Sequence, residues 1–74
     1  MDKLIAEKIV SIGQKTRARR KELGLTLFEL AVDSEVSLSV ISDLERCLAS
    51  GLTICTLIKI ATALNITPEE LFAE

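Results

Sequence analysis

Apolar residues recur along this chain at intervals of three and four, and most such runs follow a residue able to cap a helix. That pattern predicts an all-α chain with tight connections and no strands. Five helices are expected. The first runs from about Lys3 to Leu23, with Ile5, Ile9, Ile12, Thr16 and Leu23 near one face, and Gly24 ends it as a left-handed residue. Gly13 either bends this helix or marks off a first segment, and residues 1–11 read as an N-terminal helical extension.

Thr26 stands three residues before Glu29, the spacing at which hydroxyl and carboxylate satisfy each other's backbone donors, and opens a helix from Leu27 to Asp33. Ser34, Glu35 and Val36 form a short turn. Ser37 is placed to cap a third helix, Leu38 to Cys47, whose inner residues are Ile41 and Leu44. After a loop from Leu48 to Leu52, Thr53 caps a fourth helix with Ile54, Leu57, Ile58, Ala61 and Leu64 as its apolar stripe, closed by Asn65. Thr67-Pro68-Glu69-Glu70 starts a fifth, which holds Leu71 and Phe72. Residues 1–74 make one domain, without repeat or linker.

Composition narrows the chemistry. Of 74 residues, 49% are hydrophobic and 27% charged, too apolar for disorder and too interrupted by charge for a membrane span. There is no His, and Cys47 and Cys55 are eight positions apart. A zinc site or a hydrolytic triad therefore has no residues to build it, and no glycine-rich phosphate loop is present. No cofactor, metal or enzyme activity is expected. Without a secretory leader pattern, the cysteines read as reduced, buried thiols of a cytoplasmic protein, since only Arg46 beside Cys47 favours a redox sensor.

The net charge of −2 argues against a nucleic-acid partner, but Lys15, Arg17, Arg19, Arg20 and Lys21 put five of the nine basic residues into seven positions. The plain alternative is that this stretch is simply a solvated helix face.

Gly24-Leu25-Thr26, Glu29-Leu30-Ala31, Val36-Ser37, Ile41-Ser42 and Leu44-Glu45-Arg46, continued through Leu57, Ile60-Ala61, Ala63-Leu64 and Pro68 to Phe72, resemble the lambda-repressor-like helix-turn-helix family, also called the Xre or Cro type. The resemblance spans roughly Ile12 to Phe72. It implies a compact five-helix bundle with its helix-turn-helix at residues 27–47, the second helix across the DNA backbone and the third in the major groove. Transcription regulation is the implied function, with double-stranded DNA as partner and a homodimer on an inverted repeat.

By the same resemblance, Arg20 and Glu45 form a buried ion pair between the first and third helices. Leu38, Ser39, Val40, Ser42 and Asp43 stand at base- and phosphate-reading positions, and Leu27 and Phe28 at the start of the second helix. Thr26 and Ser37 offer helix N-termini to phosphate oxygens. Arg17, Lys21 and Arg46 are the cations expected near phosphates. Leu52, Ile58, Ile66, Leu71 and Phe72 are the dimer candidates.

The sequence departs from the family pattern where it matters. Leu38 and Val40 offer only apolar contact to a thymine methyl, and Asp43 repels phosphate or accepts from a cytosine amino group. Leu27 replaces a frequent Gln, and Glu35 stands where Gly is frequent, at a cost of about 1 kcal/mol if the turn is left-handed. Gly51 lies where Pro is common, in a loop expected to be mobile. Either some of Leu27, Phe28, Leu38 and Val40 turn inward, or they form an exposed apolar patch. The patch supports an alternative function: a protein-interaction module, antitoxin-like or an adaptor, that keeps the fold with weak or no specific DNA binding.

Overall fold

Twenty residues of unbroken helix open the computed structural model, which describes residues 3–48 and 52–73. This is α1, Lys3–Glu22; it is followed by α2 Leu27–Ser34, α3 Leu38–Glu45, α4 Ile54–Ala63 and α5 Pro68–Phe72. The described residues contain no strand. Met1, Asp2, Glu74 and the loop residues Ala49, Ser50 and Gly51 lie outside the described residues, as does the expectation of a mobile loop there.

α1 buries Ile9, Ile12, Gly13 and Thr16, the i, i+3, i+4, i+7 stripe of a helix lying on a core. Gly13 neither bends nor divides the helix. A β-carbon there would overlap the Leu44 carbonyl oxygen, so the missing side chain is what lets α1 and α3 approach. Thr16 donates its hydroxyl to Ile12 O at 2.8 Å, which satisfies a wholly buried polar group within the helix. Ile5 lies on the expected stripe but is exposed, one turn beyond the buried set. Gly24 follows α1 at φ +70°, and Leu25 N–H returns to Arg20 O at 3.0 Å.

The central core joins Leu30 and Ala31 of α2, Ile41 and Leu44 of α3, and Leu57, Ile60, Ala61 and Leu64 of α4, with Ile12 and Leu71 closing it from α1 and α5. Each fully buried Leu or Ile contributes about 1.5–3 kcal/mol relative to exposure. The α4 stripe differs from expectation. Ile60 is inside, whereas Ile54 and Ile58 are 65% and 43% exposed, because 57, 60, 61 and 64 keep the helical period and 54 and 58 fall on its flank.

Leu71 is completely buried between α5 and the rest of the bundle, which corrects its assignment as a dimer contact. Leu52, Ile66 and Phe72 pack partly on the same core. Cys55 is exposed rather than buried, and Cys47 is half-buried.

The basic stretch of α1 divides by function. Arg19 Nε donates to Leu64 O at 2.9 Å, Lys15 Nζ to Glu70 O at 3.5 Å, and Lys8 Nζ to Phe72 O. Three α1 cations thus meet carbonyls at the C-terminal ends of α4 and α5, where helix dipoles favour positive charge. The start of α1 is held against α5 of its own chain in this way. No helix among the described residues is long and apolar enough to cross a membrane.

Candidate nucleic-acid interface

Two eight-residue helices, α2 and α3, and the turn between them form the candidate site. α2 starts on a complete reciprocal cap. Thr26 Oγ1 accepts from Glu29 N–H at 3.0 Å, and Glu29 Oε1 accepts from Thr26 N–H at 2.9 Å. The helix ends one residue later than expected, at Ser34, whose buried hydroxyl donates to Leu30 O at 2.7 Å. Glu35 then takes φ 58°, ψ 33°, the left-handed conformation that Gly adopts without steric cost. Its N–H closes on Val32 O at 3.3 Å and the Val36 N–H on Ala31 O at 3.2 Å, so the turn satisfies the end of α2 and redirects the chain into α3.

Ser37 occupies the cap position of α3 but makes no capping bond with its side chain, contrary to expectation; its Oγ lies 3.0 Å from Ser39 Oγ instead. The two helix starts are therefore unlike. At α2 the cap consumes donors and adds the Glu29 carboxylate, whereas α3 has no acid in its first turn. Of the two, α3 presents the more open positive helix end.

α3 ends at Glu45, not Cys47, and Cys47 itself has φ 64°. Ile41 and Leu44 point into the core, which turns Ser39 and Arg46 outermost, with Ser42 and Asp43 on the flanks of that outer face. Leu38 is 44% exposed and Val40 half-buried. In α2, Leu27 is half-buried and packs against the core, the inward-turning alternative, while Phe28 stays 66% exposed and Val32 60%. Phe28, Val32 and Leu38 are thus the exposed apolar side chains of the two helices.

The C-terminal end of α3 is fastened to α1. Arg20 Nε donates to Glu45 Oε2 at 2.8 Å and Nη2 to Oε1 at 3.0 Å, a two-pronged pair whose side chains are 12% and 7% exposed. Arg20 Nη1 also donates to Leu25 O at 2.8 Å, so one guanidinium ties α3 to the chain leaving α1. Hydrogen bonding to Glu45 raises the Arg20 pKa above its ordinary value, against the opposing effect of burial.

Among the remaining cations, Arg17 and Lys21 lie one turn apart on an exposed face of α1, and neither forms a salt bridge among the described residues. Arg46 is exposed and only loosely paired with Asp43, at 3.8 Å. No cluster of three or more His, Cys, Asp or Glu side chains able to hold a metal occurs among the described residues.

Sequence reasoning misassigned two positions: Gly13, read as a bend or boundary, and Ile54, placed on the buried stripe of α4. A glycine in mid-helix that carries a buried stripe is the signal for the first. The second was legible as the apolar residue just after a cap, outside the 57, 60, 61, 64 period.

Comparison with known proteins agrees with this geometry. A helix-turn-helix family model matches residues 17–71. No match is found among curated protein sequences. Among solved structures, the SinR protein/SinI protein complex superposes with a TM-score of 0.79 at 36% identity, over 85% of this chain and 61% of that one. The chain therefore spans about three fifths of that relative's length. The restriction-modification controller protein C.AhdI from Aeromonas hydrophila gives 0.79 at 36% identity, over 86% of this chain and 96% of that one. SinR, described as a master regulator for biofilm formation and solved in complex with DNA, gives 0.75 at 37% identity, over 81% and 95%. With the family model covering α2, its left-handed turn and α3 together, the chain belongs to the helix-turn-helix family of the lambda-repressor-like type, a family of DNA-binding transcription regulators.

Proposed function

We propose that this protein is a sequence-specific transcription regulator of the cytoplasm that binds an inverted-repeat operator as a homodimer, α3 lying in the major groove and α2 crossing the phosphate backbone. The observation that carries this reading is the outer face of α3. Leu38, Ser39 and Ser42 are presented on a helix with an open N-terminus, whose far end is fixed by the Arg20–Glu45 pair. Arg17 and Lys21 on α1 and Arg46 beyond α3 supply the phosphate contacts, and Thr26, Ser37 and Asp43 border the groove. Two half-sites about 34 Å apart supply the affinity that one short interface lacks. The structure of SinR in complex with DNA supports DNA as the partner.

The test is selection of bound duplexes from a random pool by the purified protein, repeated at low and near-physiological salt. A palindromic motif that persists at higher salt is the expected result. No enrichment, with any binding lost as salt rises, refutes the reading.

A second reading rests on Phe28, Val32 and Leu38, three exposed apolar side chains on the helix-turn-helix. On it the same face docks a protein; SinR, a structural neighbour, is itself found in complex with a second protein, SinI. Binding to such a partner would withstand salt that strips a phosphate contact.

A further inference from the structure

We infer that Leu38 reads the 5-methyl group of thymine, and that this apolar contact, rather than a hydrogen-bonded fork, is the main direct base discrimination made by α3. The inference rests on the DNA-binding reading above and deepens it.

The side chains that α3 carries, and the bonds they already make, decide how it can read bases. From Leu38 to Glu45 the helix contains no Arg, Lys, Asn or Gln, the side chains that fork onto guanine or adenine edges. Glu45 is 7% exposed and committed to Arg20. Asp43 has a 28% exposed side chain and faces Arg46. Ser39 Oγ shares a hydrogen bond with Ser37 Oγ. Hydrogen-bonded readout from the helix is thereby reduced to two short hydroxyls, those of Ser39 and Ser42, and to the Asp43 carboxylate, an acceptor loosely held by Arg46, on a partly occupied face.

Leu38 is different. It is the first residue of the helix, at the end that contacts base edges in this motif, and it is 44% exposed although apolar. In the major groove the thymine 5-methyl is the apolar feature among the base edges. Arg46 lies at the opposite end of the outer face, beyond the last turn.

The measurement is the dissociation constant for a selected duplex in which deoxyuridine replaces thymidine at one half-site position at a time, which deletes only the methyl group. At one or two positions the substitution is expected to weaken binding about fourfold, the value of one buried methyl. Leu38→Ala should abolish that sensitivity while keeping its melting temperature, since the side chain is half outside the fold. Equal affinity for thymidine and deoxyuridine at every position, or an undiminished penalty in Leu38→Ala, overturns the inference and leaves DNA binding standing. Failure of the selection to enrich any duplex overturns sequence-specific DNA binding, and the inference with it.

Discussion

Gly13 passes so close beneath the Leu44 carbonyl that a β-carbon at position 13 would overlap its oxygen. The obstacle is backbone, which cannot rotate away as a flexible side chain would. Helix propensity favours Gly13→Ala by up to about 1 kcal/mol, but separating α1 from α3 costs about 1–3 kcal/mol or more. The overlap decides the sign. Gly13→Ala is expected to lower the thermal midpoint by several degrees, at about 4–8 °C per kcal/mol for a domain of this size. A midpoint at or above that of the parent would show that α1 is not held against α3 here.

Two turns further along α1, Arg20 clamps the same end of α3. Replacing it with Ala leaves the buried Glu45 carboxylate and the Leu25 carbonyl without their partner, at a cost of about 3–5 kcal/mol. Substituting both members with apolar residues, Arg20→Met with Glu45→Leu, removes the stranded charge and should cost less than Arg20→Ala alone. Denaturant melts of the parent and the two variants check this, and an equal loss in both variants contradicts it. The pH dependence has a definite sign. A pKa raised on folding stabilises fully below its unfolded value, and that stability disappears only as pH climbs through the folded one. Arg20 therefore supports the fold throughout the neutral and mildly alkaline range.

Glu35 sits in the left-handed region at φ 58°, where a side chain costs about 1–2 kcal/mol. Glycine there relieves the strain and loses part of the gain to the greater freedom of the unfolded chain. Glu35→Gly is therefore expected to stabilise by up to about 1 kcal/mol, read as a rise in thermal midpoint. A fall would mean that the exposed Glu35 side chain makes a contribution larger than its backbone strain.

Much of this architecture was legible because its signals are local. Thr26 with Glu29, Thr53, and Thr67 before Pro68 each mark a helix start by spacing alone, and Gly24 and Asn65 both take the left-handed conformation expected at helix ends. What was not legible depends on what lies across the bundle. Whether Leu71 faces the core or a partner is set by α1 and α4, not by its neighbours in sequence. The role of Gly13 requires a carbonyl on another helix, that of Leu44. Lys15, Arg17, Arg19, Arg20 and Lys21 look alike in the sequence, yet packing commits Lys15, Arg19 and Arg20 to backbone carbonyls or Glu45 and leaves Arg17 and Lys21 outward. Ser37 shows the limit of the local rule itself, since a residue at the cap position can turn to a nearby hydroxyl instead.

That division of cations yields a prediction for DNA binding. Arg17→Ala and Lys21→Ala should each weaken binding by a similar factor on selected and unrelated duplexes, because phosphate contacts carry no sequence information. Each should also reduce the slope of log affinity against log salt by about 0.9 for each phosphate no longer neutralised. Lys15→Ala, whose ammonium faces Glu70 O, should instead leave the slope unchanged and act on stability. A weakened sequence preference in Arg17→Ala would move Arg17 from the backbone to a base.

Ile54 and Ile58, one turn apart on α4 and both substantially exposed, are the residues on which we expect the homodimer to close. They replace Leu71, which the core already holds, while Leu52, Ile66 and Phe72 have only their outer edges left to offer. In a two-fold interface each side chain is buried twice, so Ile58→Glu removes apolar surface from both protomers and brings two carboxylates face to face. At about 1.5–3 kcal/mol for each buried isoleucine, the dissociation constant should rise more than about 100-fold. Sedimentation at tens of micromolar is then expected to show a dimer for the parent and a monomer for Ile58→Glu. An unchanged melting curve at low concentration would locate the effect at the interface, because Ile58 lies outside the buried stripe of α4. A monomeric parent under these conditions would remove the dimer, and with it the reason for a palindromic site, unless the DNA itself brings the two copies together. Sedimentation in the presence of the selected duplex distinguishes that case: two protein chains per duplex support assembly on the operator, and one per duplex rules it out.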